Sequence, residues 1–507
     1  MKKQLTVFIL LCFISVIGFT GCSGNNDNQG SPDDTQTPSL LSMAISSEPD
    51  SLDPMVSAAS DTKAAILFNV YEGLLSFDES GSLLPSLATE YSISEDGLDY
   101  SFTLKEGVKF HNGQPFSAKD VKYTYDKLAG LSGGLALNET LSALIDNVEI
   151  IGDYNVTIHL KERNSSFLTQ CIVPVCPENY ENAAMAPIGT GPYKFKDYLP
   201  GQKVILERNV DYNTRADVTP TIDEIEVRII TDENARLLAL KSGDLDLTQI
   251  SANDKDAFKG GFQIYEVPGN SVQVIGLNNS VAPLNDLRVR QAINYAVNKE
   301  EIINGAFSGS GTRVDSFLSP VMKTYYNDNM TVYETDIEKS KALLKEAGYE
   351  NGFTLTVTVP SNYQEHVDTA QILKNQLEKV GITVEIEIVE WAAWLENVYT
   401  NADYQATIIT HTGKLDPNDF LNRFESSYPN NYFRFSNEEY DALIMEASLT
   451  TDETKRAEIY KKCQQLLVDC AASVFVHDMN VIYAVKNGVS GFKTYPVQFY
   501  NFAAMKI

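Results

Sequence analysis

Gly130-Leu131-Ser132-Gly133-Gly134 satisfies G-x-S-x-G, the spacing that throws a nucleophilic serine out on a strained turn between a strand and a helix. The context here is reversed. Val121, Tyr125 and Leu128 share one helical face, and that helical run ends near Ala129, so Ser132 follows a helix where it should open one. The five histidines, His111, His159, His366, His411 and His477, contain no i, i+4 pair and no carboxylate in ligand spacing, so no built-in metal site is expected. Neither a Walker A string nor a dinucleotide-binding glycine fingerprint is present, so any energy for transport must come from another protein. The 68 acidic residues against 40 Lys and Arg give a net charge of -28. With so many acids some carboxylates will always approach one another, and the excess reads as a solvated surface rather than as an acid pair for glycoside hydrolysis. The same charge makes nucleic acid and anionic membrane faces poor partners. No enzyme activity and no cofactor are expected.

The elements that would position side chains are clearest between residues 96 and 121, DGLDYSFTLKEGVKFHNGQPFSAKDV. Asp96-Gly97 separates Tyr91 and Ile93 from the alternating Tyr100, Phe102 and Leu104, a hairpin signal because Gly accepts the positive φ of a tight turn. Glu106-Gly107 and Asn112-Gly113 mark two further turns. Ser117 with Asp120 three residues on predicts a capped helix start.

This string resembles the signature region of the family 5 solute-binding proteins of ABC importers, which include oligopeptide, dipeptide and nickel receptors. Further segments resemble the same family in order: EPDSLDP at 48–54, YEGLLSFDESGSLLPSLATEYSIS at 71–94, PIGTGPYKF at 187–195, DLRVRQAINYAVNKEEII at 286–303 and LLKEAGY at 343–349. The resemblance implies an α/β, two-lobed periplasmic-binding-protein-like fold (type II, class C) with an extra β-rich subdomain and a hinge between lobes. It also implies a non-catalytic receptor that works with an ABC permease and its ATPase subunits.

Lys2 and Lys3 precede an apolar run over residues 5–19 that is shorter than the roughly 20 residues a spanning helix needs, as in a signal peptide. Thr20-Gly21-Cys22 then resembles a lipobox, with Phe19 where a smaller aliphatic residue is usual. The resemblance implies that residues 1–21 are removed and that Cys22 carries the lipid that anchors the protein in the cell envelope, outside the cytoplasm. Residues 22–39 are polar, Pro- and Gly-containing and without aromatics, and read as a disordered tether reaching about 20–25 Å. Losing residues 1–21 removes two lysines and no acid, leaving 38 basic and 68 acidic groups and a net charge of -30. Cys463 and Cys470, seven residues apart on a helical pattern, lie about 10.5 Å apart along the axis, too far for a bridge. Cys171 and Cys176, with Pro174 between them, leave a bridge or two thiols open.

Residues 353–388 predict a strand, a helix and a second strand: Phe353, Leu355, Val357 and Val359 alternate, Ala370, Leu373, Leu377 and Val380 follow helical spacing, Gly381 stops the helix, and Ile382, Val384, Ile386 and Ile388 alternate again. A crossover of that length implies parallel strands. The first 270 residues hold short strands and many turns. By the family architecture, residues 40–272 plus 484–507 form the first lobe and 273–483 the second, with a crossing strand near residues 271–276.

Family members that bind peptides hold the free amine with an Asp on a segment resembling W-x-x-D before an acid-Pro pair. Aligned on Asp416-Pro417, that Trp becomes Thr410 and that Asp becomes Gly413. Either Asp416 restores the amine clamp or Lys414 meets an anion instead, with His411 donating a hydrogen bond or ligating a carried metal. Gly413 suits a close backbone approach. Asn270, Ser271 and Gln273 fall at the crossing and can face the cleft by strand alternation. Together with Thr412, and with Asp53 of EPDSLDP, these form the candidate ligand-contacting set. Trp391 and Trp394, the only tryptophans, fit a core better than a ligand stack. The expected cargo is a di- or oligopeptide bound by a monomer; the alternative is nickel, a metallophore or another non-peptide solute.

Overall fold

The computed structural model describes residues 38–57 and 60–507. The expected signal peptide, Cys22 and all but the last two residues of the expected tether lie outside the described residues. The architecture hangs on two long antiparallel strands, Phe262–Leu277 and Val474–Lys486, paired from Phe262 with Lys486 to Ile275 with Val474. On one flank of this pair lie Leu247–Gln249, Leu40–Ile45, Glu224–Ile229, Lys203–Arg208 and Tyr193–Leu199; on the other lie Ala406–Thr412, Phe353–Pro360 and Ile382–Val389. One sheet therefore runs through several packed cores. The largest gathers side chains from Leu41 to Ile229 with C-terminal Phe502 and Met505, two more draw on residues between Val272 and Val476, and a smaller one forms around Leu240, Phe258 and Ala484. The C-terminal residues Phe502 and Met505 thus pack with the N-terminal half of the chain.

The hairpin predicted at Asp96-Gly97 joins strands Ala88–Ile93 and Asp99–Leu104, with Gly97 at φ 72°. These strands belong to a four-stranded antiparallel sheet with Asn155–Leu160 and Ile145–Gly152, the extra β-rich subdomain. Helix Ala118–Ala129 packs against it. Ser117 and Asp120 form the reciprocal capping box, and Gly130, left-handed at φ 77°, ends the helix. Ser132 follows in a turn, so the G-x-S-x-G pattern has no strand-to-helix elbow.

Strand Phe353–Pro360, helix Gln364–Glu378 and strand Ile382–Val389 form the parallel unit, in register from Phe353 with Ile382 to Pro360 with Val389. Cys171, Cys176 and Cys463 are buried free thiols, and Cys470 is a partly exposed one. Among the described residues no helix is long and apolar enough to cross a membrane.

Candidate functional site

The long strand pair is irregular where it crosses between the lobes. Its register breaks between Pro268 and Val272, and Asn270 there has φ 56°. The buried Asp478 carboxylate accepts from the backbone N–H groups of Gly269 at 3.1 Å and Ser271 at 2.9 Å, and from the Ser319 hydroxyl. Burial raises Asp478 to about 6. Asn270 spends its amide on the carbonyls of Lys414 and Pro496, at 3.0 and 2.9 Å. The bulge defeats the simple alternation expected here. Asn270 turns inward, Gln273 is fully buried beside Thr369 at 3.3 Å, and only Ser271 of the three borders a cavity.

Two cavities meet at Thr412. The larger, about 500 Å³, lies in the second lobe beyond the C-terminal ends of Phe353–Pro360, Ile382–Val389 and Ala406–Thr412. That is where an α/β sheet with helices starting at its strand ends offers a crevice. Tyr363 and Glu365 come from the start of the helix after the first strand, and Trp391 from the short helix after the second. Trp391 and Trp394 stack at 5.3 Å with planes 6° apart, and Tyr363 meets Trp391 edge-on at 5.8 Å. Trp394 is anchored by its indole N–H on Thr407 Oγ1 at 2.9 Å, whereas Trp391 is 36 % exposed and walls the cavity. Both tryptophans therefore line the cavity, Trp394 from within the core.

His411 and His366 border the same cavity. His411 Nε2 lies 2.7 Å from Tyr432 Oη, and His366 Nε2 lies 3.2 Å from Thr410 Oγ1. Burial lowers His366 to about 4 and pushes His411 well below its ordinary value, so both rings are neutral at pH 7. Arg423 supplies the cavity's cation, with one Nη donating to Tyr399 Oη at 3.2 Å.

The smaller cavity, about 300 Å³, is bordered by Lys63 and Leu67 of the first lobe, by Val267 and Val481 of the crossing strands, and by Thr412, Gly413 and Tyr495. Among the described residues no carboxylate lines it. Gly413 is close-packed by protein: a Cβ there would lie 2.2 Å from Phe420 and 2.4 Å from the Asn270 amide oxygen. No aspartate side chain fits at that position without rearrangement.

Asp416 does not replace it. Its carboxylate is 1 % exposed and accepts from Arg456 Nη2 at 2.6 and 2.8 Å, while the same nitrogen reaches Ser166 Oγ of the first lobe at 2.9 Å. The expected amine clamp is thus a structural ion pair. Lys414 is 62 % exposed, 3.8 Å from Asp419, and borders neither cavity. Asp53 closes a local turn through Met55 N at 2.9 Å and borders neither cavity. Among the described residues no three His, Cys, Asp or Glu side chains are grouped to hold a metal ion. Of the predicted set, Ser271, His411, Thr412 and Gly413 reach the cavities. Sequence reasoning missed Tyr363, Glu365, Tyr399 and Arg423; the first two were findable as residues just past the end of a predicted parallel strand.

Two lobes joined by paired crossing strands, with cavities at their junction and at the strand ends, define a solute-binding protein, and residues 82–432 match the bacterial extracellular solute-binding proteins, family 5 (middle region). The chain belongs to that family. It is 27 % identical over 504 residues to the dipeptide-binding protein of Escherichia coli (strain K12), covering 90 % of this chain and 93 % of that protein. Among solved structures it resembles HbpA2 from Haemophilus parasuis (27 % identity, TM-score 0.85, covering 92 % of this chain and 99 % of that one). It also resembles the oligopeptide-binding protein AppA from Bacillus subtilis in complex with a nonapeptide (27 % identity, TM-score 0.69, covering 93 % and 100 %).

Proposed function

We propose that this protein is the substrate-binding component of an ABC importer and that it captures a di- or oligopeptide between its lobes for delivery to the membrane permease. One observation carries the peptide reading. Strand Ala406–Thr412 pairs along its whole length with the crossing strand, but on its other side only Ala406 and Thr407 pair with Phe353–Pro360. From Ile408 onward that edge has no strand partner among the described residues, and Ile409, Thr410, His411 and Thr412 border the larger cavity. An extended peptide can add to such an edge through its main chain, while its side chains enter the aromatic-walled space. This mode needs neither a metal nor an amine clamp at residue 413. The dipeptide- and oligopeptide-binding relatives support the same cargo.

Residues 40–272 with 484–507, and residues 273–483, act as the two closing bodies, hinged where Asp478 holds the bulged crossing strand. Residues 1–21 are the signal peptide, Cys22 carries the lipid, residues 22–39 tether a monomeric receptor outside the cytoplasm, and the protein has no catalytic step. Native mass spectrometry of the freshly purified protein tests the cargo. A retained adduct with peptide masses is expected, and a retained metal complex or other non-peptide solute would replace this reading with the alternative suggested by the missing clamp.

A further inference from the structure

Resting on the peptide reading above, we propose that Arg423 receives a carboxylate of the ligand, so that the larger cavity selects peptides by an acidic group. A guanidinium has five N–H donors, and this one spends a single bond on the Tyr399 hydroxyl while its Nε is buried without a partner. Among the described residues no carboxylate forms an ion pair with it. Other arginines in this lobe are treated differently. Buried Arg290 is satisfied by the carbonyls of Leu284, Cys470 and Ala471 at 2.8 to 3.2 Å, and Arg456 by Asp416. Arg456 also borders a cavity but is paired with Asp416, whereas Arg423 borders the larger cavity without an ion pair, in a chain whose net charge of -28 supplies acids in excess.

The nearby acid is Asp419, which burial raises to about 6 and which the Arg423 charge draws back only through space, with no ion pair formed between them. Both cavity histidines are neutral, and Tyr399 and Tyr432 contribute rings and hydroxyls 5.4 Å apart between centroids. Glu365, the cavity's acid, lies 3.8 Å from His366 Nδ1 and is left to meet a ligand cation. A partly buried cation with free donors is the arrangement a planar carboxylate completes with charge-assisted hydrogen bonds. The carboxylate can be the peptide's own C-terminus or an Asp or Glu side chain, and both present the same group.

The test measures apparent affinity by ligand-dependent thermal shift on the full chain and on its Arg423→Gln and Arg423→Lys variants. Three probes are used: a mixed tetrapeptide library without acidic residues, the same library amidated at the C-terminus, and an amidated library carrying one Asp in every member. If the C-terminus is read, amidation weakens binding to the parent roughly ten- to hundredfold, and the Asp library does not recover it. If a side chain is read, the Asp library binds more tightly than the amidated one by a similar factor. In either case Arg423→Gln abolishes the preference and Arg423→Lys keeps part of it, which separates lost charge from lost folding. Equal binding of all three probes by the parent, or an unchanged preference in Arg423→Gln, would overturn the inference alone. Failure of every probe to bind the parent would overturn the peptide reading together with it.

Discussion

Arg456→Met should destabilise the second lobe severely. Arg456 Nη2 sits 2.6 and 2.8 Å from the two Asp416 oxygens, with side chains only 6 % and 1 % exposed, and also donates to Ser166 Oγ and Tyr460 Oη at 2.9 and 3.0 Å. Methionine fills most of the volume but strands the carboxylate, whose remaining partner is the N–H of Asn418 at 2.9 Å. Solvent does not screen a pair this deep, so the cost is that of an uncompensated buried charge, about 3–5 kcal/mol. For a cooperative unit of this size that is a fall in melting temperature of roughly 6–20 °C. Adding Asp416→Asn should recover part of it, because no buried charge is then left alone, and the double-mutant cycle should give a coupling of about 1–3 kcal/mol. Urea unfolding followed by tryptophan fluorescence reports the right lobe, since both tryptophans lie in it. A loss below about 1 kcal/mol, or strict additivity of the two changes, would show that Asp416 is not committed to Arg456 and would reopen its role as an amine clamp.

Three further outcomes follow from particular residues. Burial raises Glu72 to about 7, against an ordinary 4.5, while Tyr212 and Thr190 donate to it at 2.7 and 2.8 Å. The folded chain then keeps a proton that the unfolded chain releases, so stability should decline as pH rises from about 4.5 to about 7 and level off above, by about 3 kcal/mol on this account; Glu72→Gln should flatten that part of a denaturation-versus-pH profile, and an unchanged profile would contradict it. Gly413→Asp should cost about 1–3 kcal/mol by overpacking against Phe420 and Asn270 without tightening peptides that have a free amine, and a gain in their affinity would refute the close packing at residue 413. Cys22→Ser should release the protein from the membrane fraction, and a variant bound as firmly as the parent would refute the lipid anchor.

The fold was legible where local physics decides it. Asp96-Gly97, the Ser117 and Asp120 capping box, and the alternation at 353–359 and 382–388 each depend on neighbours a few residues away. The site was legible only in part, because it is made by long-range placement. Alternation through Asn270 and Gln273 failed at a bulge held by Asp478, some 200 residues later in the chain. Asp416 looked free because its partner Arg456 lies 40 residues away, on helix Glu453–Asp469. Arg423, Tyr399 and Tyr363 carry no spacing that joins them, and only the folded strand ends bring them around one cavity.

Small-angle scattering of the protein with and without a saturating peptide, with occupancy followed by calorimetric titration of the same sample, tests capture by lobe closure. The account predicts saturable binding together with a smaller radius of gyration, because a ligand touching both lobes stabilises the closed arrangement. An unchanged scattering curve at full occupancy, or no binding heat from any peptide, would contradict it.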